Sequence, residues 1–148
     1  MRDRCETEAG GTTVPDEPSA QVKVMIVDDQ PPFRAAARAV ISRVADFELI
    51  AEVASGEEAV EMSAELLPQL VLMDINMGEL DGIEATRIIT QASPNTKVIL
   101  VSTYALDDLP PRARTSGAVA YVNKDELSPR VIRRLWESGG DPAWLAQR

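Results

Sequence analysis

Three carboxylates fall at the ends of apolar runs. Asp28 and Asp29 follow Val22-Lys23-Val24-Met25-Ile26-Val27, and Asp74 follows Leu70-Val71-Leu72-Met73. Runs of this kind read as buried parallel strands. Ligands of open parallel sheets bind outside the carboxyl ends of the strands, so the three acids are expected to share one small pocket. Carboxylates at ~4 Å repel by roughly 4 kcal/mol per pair at an effective dielectric of ~20. A chain keeps such a cluster when a cation neutralises it or when one acid does chemistry. The same pair, Asp28-Asp29, can also cap the helix that follows, and the two roles can coexist.

Two further polar residues close apolar segments: Ser102 after Val98-Ile99-Leu100-Val101, and Lys124 shortly after Ala118–Val122. A hydroxyl and an amine at strand ends would face the same edge as the acids.

Several chemistries are excluded. The chain has no histidine, which removes histidine-based zinc sites and Ser-His or Cys-His catalysis. Its one cysteine, Cys5, permits no intrachain disulfide, which is consistent with a reducing compartment. Net charge is −9 with no basic block, so direct nucleic-acid binding by this chain is not expected. No apolar stretch is long enough to span a membrane, and the N-terminus lacks the apolar segment of a secretory signal. A cytoplasmic location is expected. At 148 residues, with 45% hydrophobic and 26% charged, the chain suits one domain with a real core.

The elements that position these groups alternate. Residues 1–20, rich in Gly, Thr, Pro and acids, are expected to be a disordered tail. Strands are expected at about 22–27, 48–54, 70–74, 98–102 and 118–122. Helix one, with Pro31 and Pro32 in its first turn, turns Phe33, Ala36, Ala37, Val40, Ile41 and Val44 inward. Helix two starts after Ser55 as N-cap and stops at Pro68. Helix three spans about 82–91. Helix four lies within 106–116 and ends at Gly117. Proline inside a helix costs about 3 kcal/mol, so Pro110-Pro111 predicts a short helix four beginning at or just before Pro110. Helix five covers about 127–137, with Leu127, Val131, Ile132 and Leu135 inward. Residues 21–138 are thus the expected domain, and 139–148 a short C-terminal tail. Five βα units give an α/β three-layer fold.

"VDD" at 27–29, "LMDINM" at 72–77, "LDG" at 80–82, Ser102 and "AYVNKD" at 120–125, in order and each near a strand end, resemble the receiver domain of bacterial two-component response regulators. "DGIEATRII" and "KVILVS" look most like the receivers of LuxR-type regulators. The resemblance implies a flavodoxin-like (βα)5 sandwich with parallel strand order 2-1-3-4-5, the order the chemotaxis receiver illustrates. It implies that Asp74 is the phosphoacceptor. It also implies a Mg²⁺ site built by Asp28, Asp29, Asp74 and the backbone carbonyl of Asn76, a donor set suited to a hard dication. Lys124 and Ser102 would contact the phosphoryl oxygens. Thr103 is the adjacent hydroxyl, but the sixteen-residue count to Gly117 favours Ser102. Tyr121 resembles the aromatic switch, or is an edge-strand tyrosine packed on a helix. Tyr104, with Asn76, would sit at the pocket mouth and shield the acyl phosphate.

The implied partners are a sensor histidine kinase or phosphotransfer protein as donor, since no histidine exists here, and a downstream protein target of unknown identity; a homodimer is possible. An enzyme is not expected: an aspartyl-nucleophile phosphatase would carry an acid where Asn76 stands. Flavin binding is not expected either, because Asp28-Asp29-Gln30-Pro31 would repel a phosphate. Only about ten residues follow helix five, so a stand-alone switch is the leading expectation. A receiver cut from a longer DNA-binding transcription factor, or a receiver-shaped binder that ignores phosphorylation, are the alternatives. Three departures from the usual pattern stand out: Gly78-Glu79 after Met77, Asn123 before Lys124, and the Pro110-Pro111 pair.

Overall fold

A computed structural model describes residues 21–146; the expected tail at 1–20 lies outside the described residues. Five strands form one parallel sheet, β1 (Val22–Val27), β2 (Phe47–Val53), β3 (Leu70–Asp74), β4 (Lys97–Ser102) and β5 (Ala120–Asn123), in the order β2-β1-β3-β4-β5. The helices are α1 (Pro31–Ser42), α2 (Gly56–Leu66), α3 (Gly82–Ala92), α4 (Pro129–Ser138) and α5 (Pro142–Leu145).

The three central strands are apolar on both faces because both faces are covered. β3 is buried at all five positions. Side chains alternate across a strand. Met25 and Val27 therefore join α2 and α3 through Ala59, Ile83, Ala85 and Ile89. Val24 and Ile26 join α1 and α4 through Ala37, Ile41, Ile132 and Leu135. Ala36, expected to face inward, is exposed, which narrows the apolar stripe of α1.

Side-chain caps set the helix starts: Ser55 accepts from the Glu58 amide (3.1 Å), Asp81 from Glu84 (2.9 Å) and Ser128 from Val131 (3.2 Å). The cap at Ser128 explains why α4 begins at Pro129 rather than at Leu127.

Helix four does not form. Between β4 and β5 the chain makes only two 3-10 turns, Leu106–Asp108 and Pro111–Ala113. Each proline lacks an amide donor and holds the residue before it extended. Leu109 and Pro110 accordingly have ψ of 141° and 140°. Gly117 still ends the segment with φ of +100°, where a Cβ would meet Thr90 Oγ1 at 2.3 Å.

Part of the expected C-terminal tail is folded. Asp141 caps α5, and Trp144 is 3% exposed. Its indole Nε1 donates to the Ala118 carbonyl (3.0 Å), and the Arg114 guanidinium lies 4.7 Å from its ring centroid. Trp144 belongs to the same core as α2 and α3, with Ala113 and Ala118. It covers sheet that the absent fourth helix leaves open. α5 is too short for its periodicity to show in the sequence; its signals were Asp141 as N-cap with Pro142 at the first helical position, and the tryptophan that follows.

Candidate functional site

The strand ends bring the acids together as expected. β1 delivers Asp28 and β3 delivers Asp74, adjacent strands in register from Val24↔Leu70 to Val27↔Met73. One carboxylate oxygen from each of Asp28, Asp29 and Asp74 lies within 4.8 Å of the others. Asp28 is fully buried, Asp74 is 4% exposed and Asp29 faces solvent. The cluster is therefore a buried pair with one open side.

Asp28 is held rigidly. Its Oδ1 accepts from the Gln30 amide (2.7 Å), and its backbone carbonyl accepts from Arg34 (2.6 Å). The first contact is an Asx-type turn just before α1, whose N-cap is Gln30 and carries no side-chain cap bond, so the expected capping role of the Asp28-Asp29 pair is not seen. Its Oδ2 accepts no well-aligned hydrogen bond, although the Lys124 ammonium stands 2.9 Å away. A buried carboxylate oxygen with spare lone pairs beside two more carboxylates fits a hard divalent cation. Asp28, Asp29 and Asp74 are the side chains that would hold it.

Lys124 follows β5 at the other side of the cluster. Its Nζ is 2.9 Å from Asp28 and 3.7 Å from Asp74. The closer partner is Asp28, a preference that strand-end logic does not provide. The ammonium also sits 4.4 Å from the Phe33 ring centroid and 3.5 Å from Gln30 Oε1. Phe33 and Gln30 were not expected at the site. Their signal is their place at the N-cap (Gln30) and in the first turn (Phe33) of α1, directly after Asp29.

Asp74 titrates unusually. Burial pushes its carboxyl up to about 6, Asp28 adds to the rise, and Lys124 and the Asn76 amide (3.4 Å) oppose it. Glycine matters behind it: a Cβ at Gly82 would lie 1.9 Å from the Asp74 carbonyl oxygen, so α3 can approach β3 this closely only there.

Ser102, buried at the end of β4, receives the Tyr104 amide on Oγ (2.9 Å) and shares a hydrogen bond with the Tyr121 hydroxyl (3.1 Å). Tyr121 also donates to the carbonyls of Ser102 (3.1 Å) and Tyr104. Thr103 is exposed, and its backbone carbonyl accepts from Asn123 Nδ2 (3.5 Å). The Tyr104 hydroxyl reaches Asn76 Oδ1 (3.4 Å), which brings those two residues together at the pocket's open side. Met77 is buried, whereas Gly78 and Glu79 of the unusual loop are exposed.

The model of the response regulator receiver domain family matches residues 24–135. Among curated proteins, the response regulator protein VraR of Staphylococcus saprophyticus is 37% identical over 77% of this chain and 54% of its own length. The transcriptional regulatory protein LnrK of Bacillus subtilis is 33% identical over 80% of this chain and 55% of its own. The chain thus spans about half the length of these relatives. Among solved structures, a LuxR family two-component response regulator from Aurantimonas superposes with a TM-score of 0.71 at 30% identity, covering 80% of this chain and 84% of that one. The response regulator domain of CheB from Thermotoga maritima gives 0.72 at 28% identity, with 82% and 99% covered. Strand order, acid cluster and these likenesses agree: the chain belongs to the response regulator receiver domain family.

Proposed function

We propose that this receiver is a phosphorylation switch, with Asp74 as the acceptor, Mg²⁺ as its cofactor and a histidine kinase or phosphotransfer protein as the donor. The family is one of signalling receivers rather than enzymes. The observation that carries the reading is the convergence of three carboxylates and one ammonium at a single strand edge.

In this reading an Asp74 carboxylate oxygen attacks phosphorus in line. A P–O bond forms, the donor's P–N bond breaks, and the imidazole nitrogen leaves with its electron pair. A divalent cation held by these acids would neutralise their charge and stabilise the negative charge of the phosphoryl oxygens. Asp28 and Asp29 hold that position. Lys124, a mobile point charge already 3.7 Å from Asp74, follows the new anion, while Asp28 keeps a cation beside it. Ser102 gives up its shared hydrogen bond with Tyr121 to donate to a phosphoryl oxygen. Tyr121 is then released, and residues 103–117, which carry no α-helix, change position. A downstream protein reads that change. Hydrolysis attaches water to phosphorus, frees inorganic phosphate and restores the carboxylate. Tyr104 over Asn76 restrains that water.

Acetyl phosphate with Mg²⁺ tests the reading. The expected product is one added phosphoryl group by intact mass, absent with chelator and absent in Asp74→Asn. An unchanged mass, while beryllofluoride also leaves the spectrum untouched, would favour a receiver-shaped binder that ignores phosphorylation. Whether a stand-alone regulator or part of a longer one, this chain would switch by the same chemistry.

A further inference from the structure

A cleft of about 430 Å³ between α4 and the end of α1 is lined by Arg43, Arg130, Arg133, Arg134 and Glu137, and by none of the three clustered aspartates. Four arginines against one glutamate is a strong local excess in a chain of net charge −9. Arg133 is accounted for structurally: it donates to the Ala45 carbonyl and pairs with Glu137 (3.3 Å). Arg43 is the C-cap of α1, where a cation suits the helix dipole. Arg130 and Arg134 have no such account. Arg130 stands in the first turn of α4, the wrong end for a cation, and one helical turn from Arg134, a like-charge neighbour. Arg43, Arg130 and Arg134 are exposed and make no ion pair among the described residues.

The chain enters the fold beside this cleft. The Val22 amide donates to the Asp46 carbonyl (2.6 Å), one residue from the Ala45 carbonyl that Arg133 grips. Immediately upstream, residues 6–20 carry Glu6, Glu8, Asp16 and Glu17 and no basic residue. Four to five residues separate Asp16 and Glu17 from Gln21, a reach of about 13–18 Å when extended. Tethering so close to the cleft raises the acids' effective concentration without any new contact.

We propose that the arginine cleft is an internal docking site for the acidic stretch at residues 6–20 of the same chain. The contact is electrostatic, weakens with salt, and shields the α1–α4 face from other acidic partners. It does not depend on Asp74 chemistry.

Cys5 offers a place for a nitroxide on the whole 148-residue, isotopically enriched chain. The expected result is several-fold stronger broadening of the amides at Arg43, Arg130 and Arg134 than of those on α2 and α3. It should disappear at high salt and in a 148-residue variant with Glu6→Gln, Glu8→Gln, Asp16→Asn and Glu17→Gln. Uniform broadening, or a cleft pattern that survives loss of the four charges, overturns the proposal. So does the same pattern between a labelled unenriched copy and an enriched unlabelled one, which would make the occupant a second molecule.

Discussion

Asp74 shows how one side chain ties chemistry to stability. Burial and the neighbouring Asp28 raise its carboxyl to about 6, against about 3.8 in an unfolded chain. Between those values the folded state holds the proton more tightly, so stability falls as pH rises from about 4 to about 6 and stays reduced above. The loss is at most roughly 3 kcal/mol, from about two pK units at ~1.4 kcal/mol each. Asp74→Asn should lack this decline and be more stable than the parent at about pH 7 without metal. Urea unfolding with chelator at about pH 5 and about pH 7 checks it; parallel profiles for the two proteins would count against the assignment. Gly82 makes a second, steric prediction. Gly82→Ala places a methyl 1.9 Å from the Asp74 carbonyl oxygen, backbone that cannot move aside without shifting β3 or α3. A destabilisation of about 2 kcal/mol, together with slower phosphorylation by acetyl phosphate, is the expected outcome. Wild-type values for both would mean the approach is less tight than the geometry states.

Among the elements, the three central strands were legible because each is a continuous apolar run closed by a polar residue, and the chemistry sits on those residues. Asp28, Asp29 and Asp74 could therefore be brought to one edge from spacing, Ser102 and Lys124 were singled out by the family resemblance, and the pairing of these groups was not legible. That Lys124 lies nearer Asp28 than Asp74 depends on Phe33 and Gln30 across the pocket. Segment 103–117 was half legible. Pro110-Pro111 argued for a short helix, but with two consecutive residues held extended no α-helical turn could nucleate. The compensating element, α5, was missed because four residues carry no readable period. Trp144 fills this gap, so Trp144→Ala should cost about 3–5 kcal/mol in urea denaturation. A change below about 1 kcal/mol would show that α5 is an ornament on the fold rather than its cover for β5.

For the molecule as a whole, a cation held by the acid cluster would make binding and folding one equilibrium. A dication that binds only the folded state stabilises it by about 2.7 kcal/mol at a hundredfold excess over its dissociation constant, a rise of about 5–10 °C for a chain of this size. Mg²⁺ should produce such a rise in thermal melts of the parent and little in Asp28→Asn; equal shifts in both would point to diffuse screening of the −9 charge instead. The central claim is narrower: a covalent acyl phosphate forms on Asp74. Borohydride reduces an aspartyl phosphate to homoserine, so phosphorylation followed by reduction and peptide mapping reads the site directly. Homoserine at position 74, dependent on Mg²⁺, is the expected result. Homoserine at Asp28 or Asp29, or none at all under conditions that phosphorylate a control receiver, would contradict it.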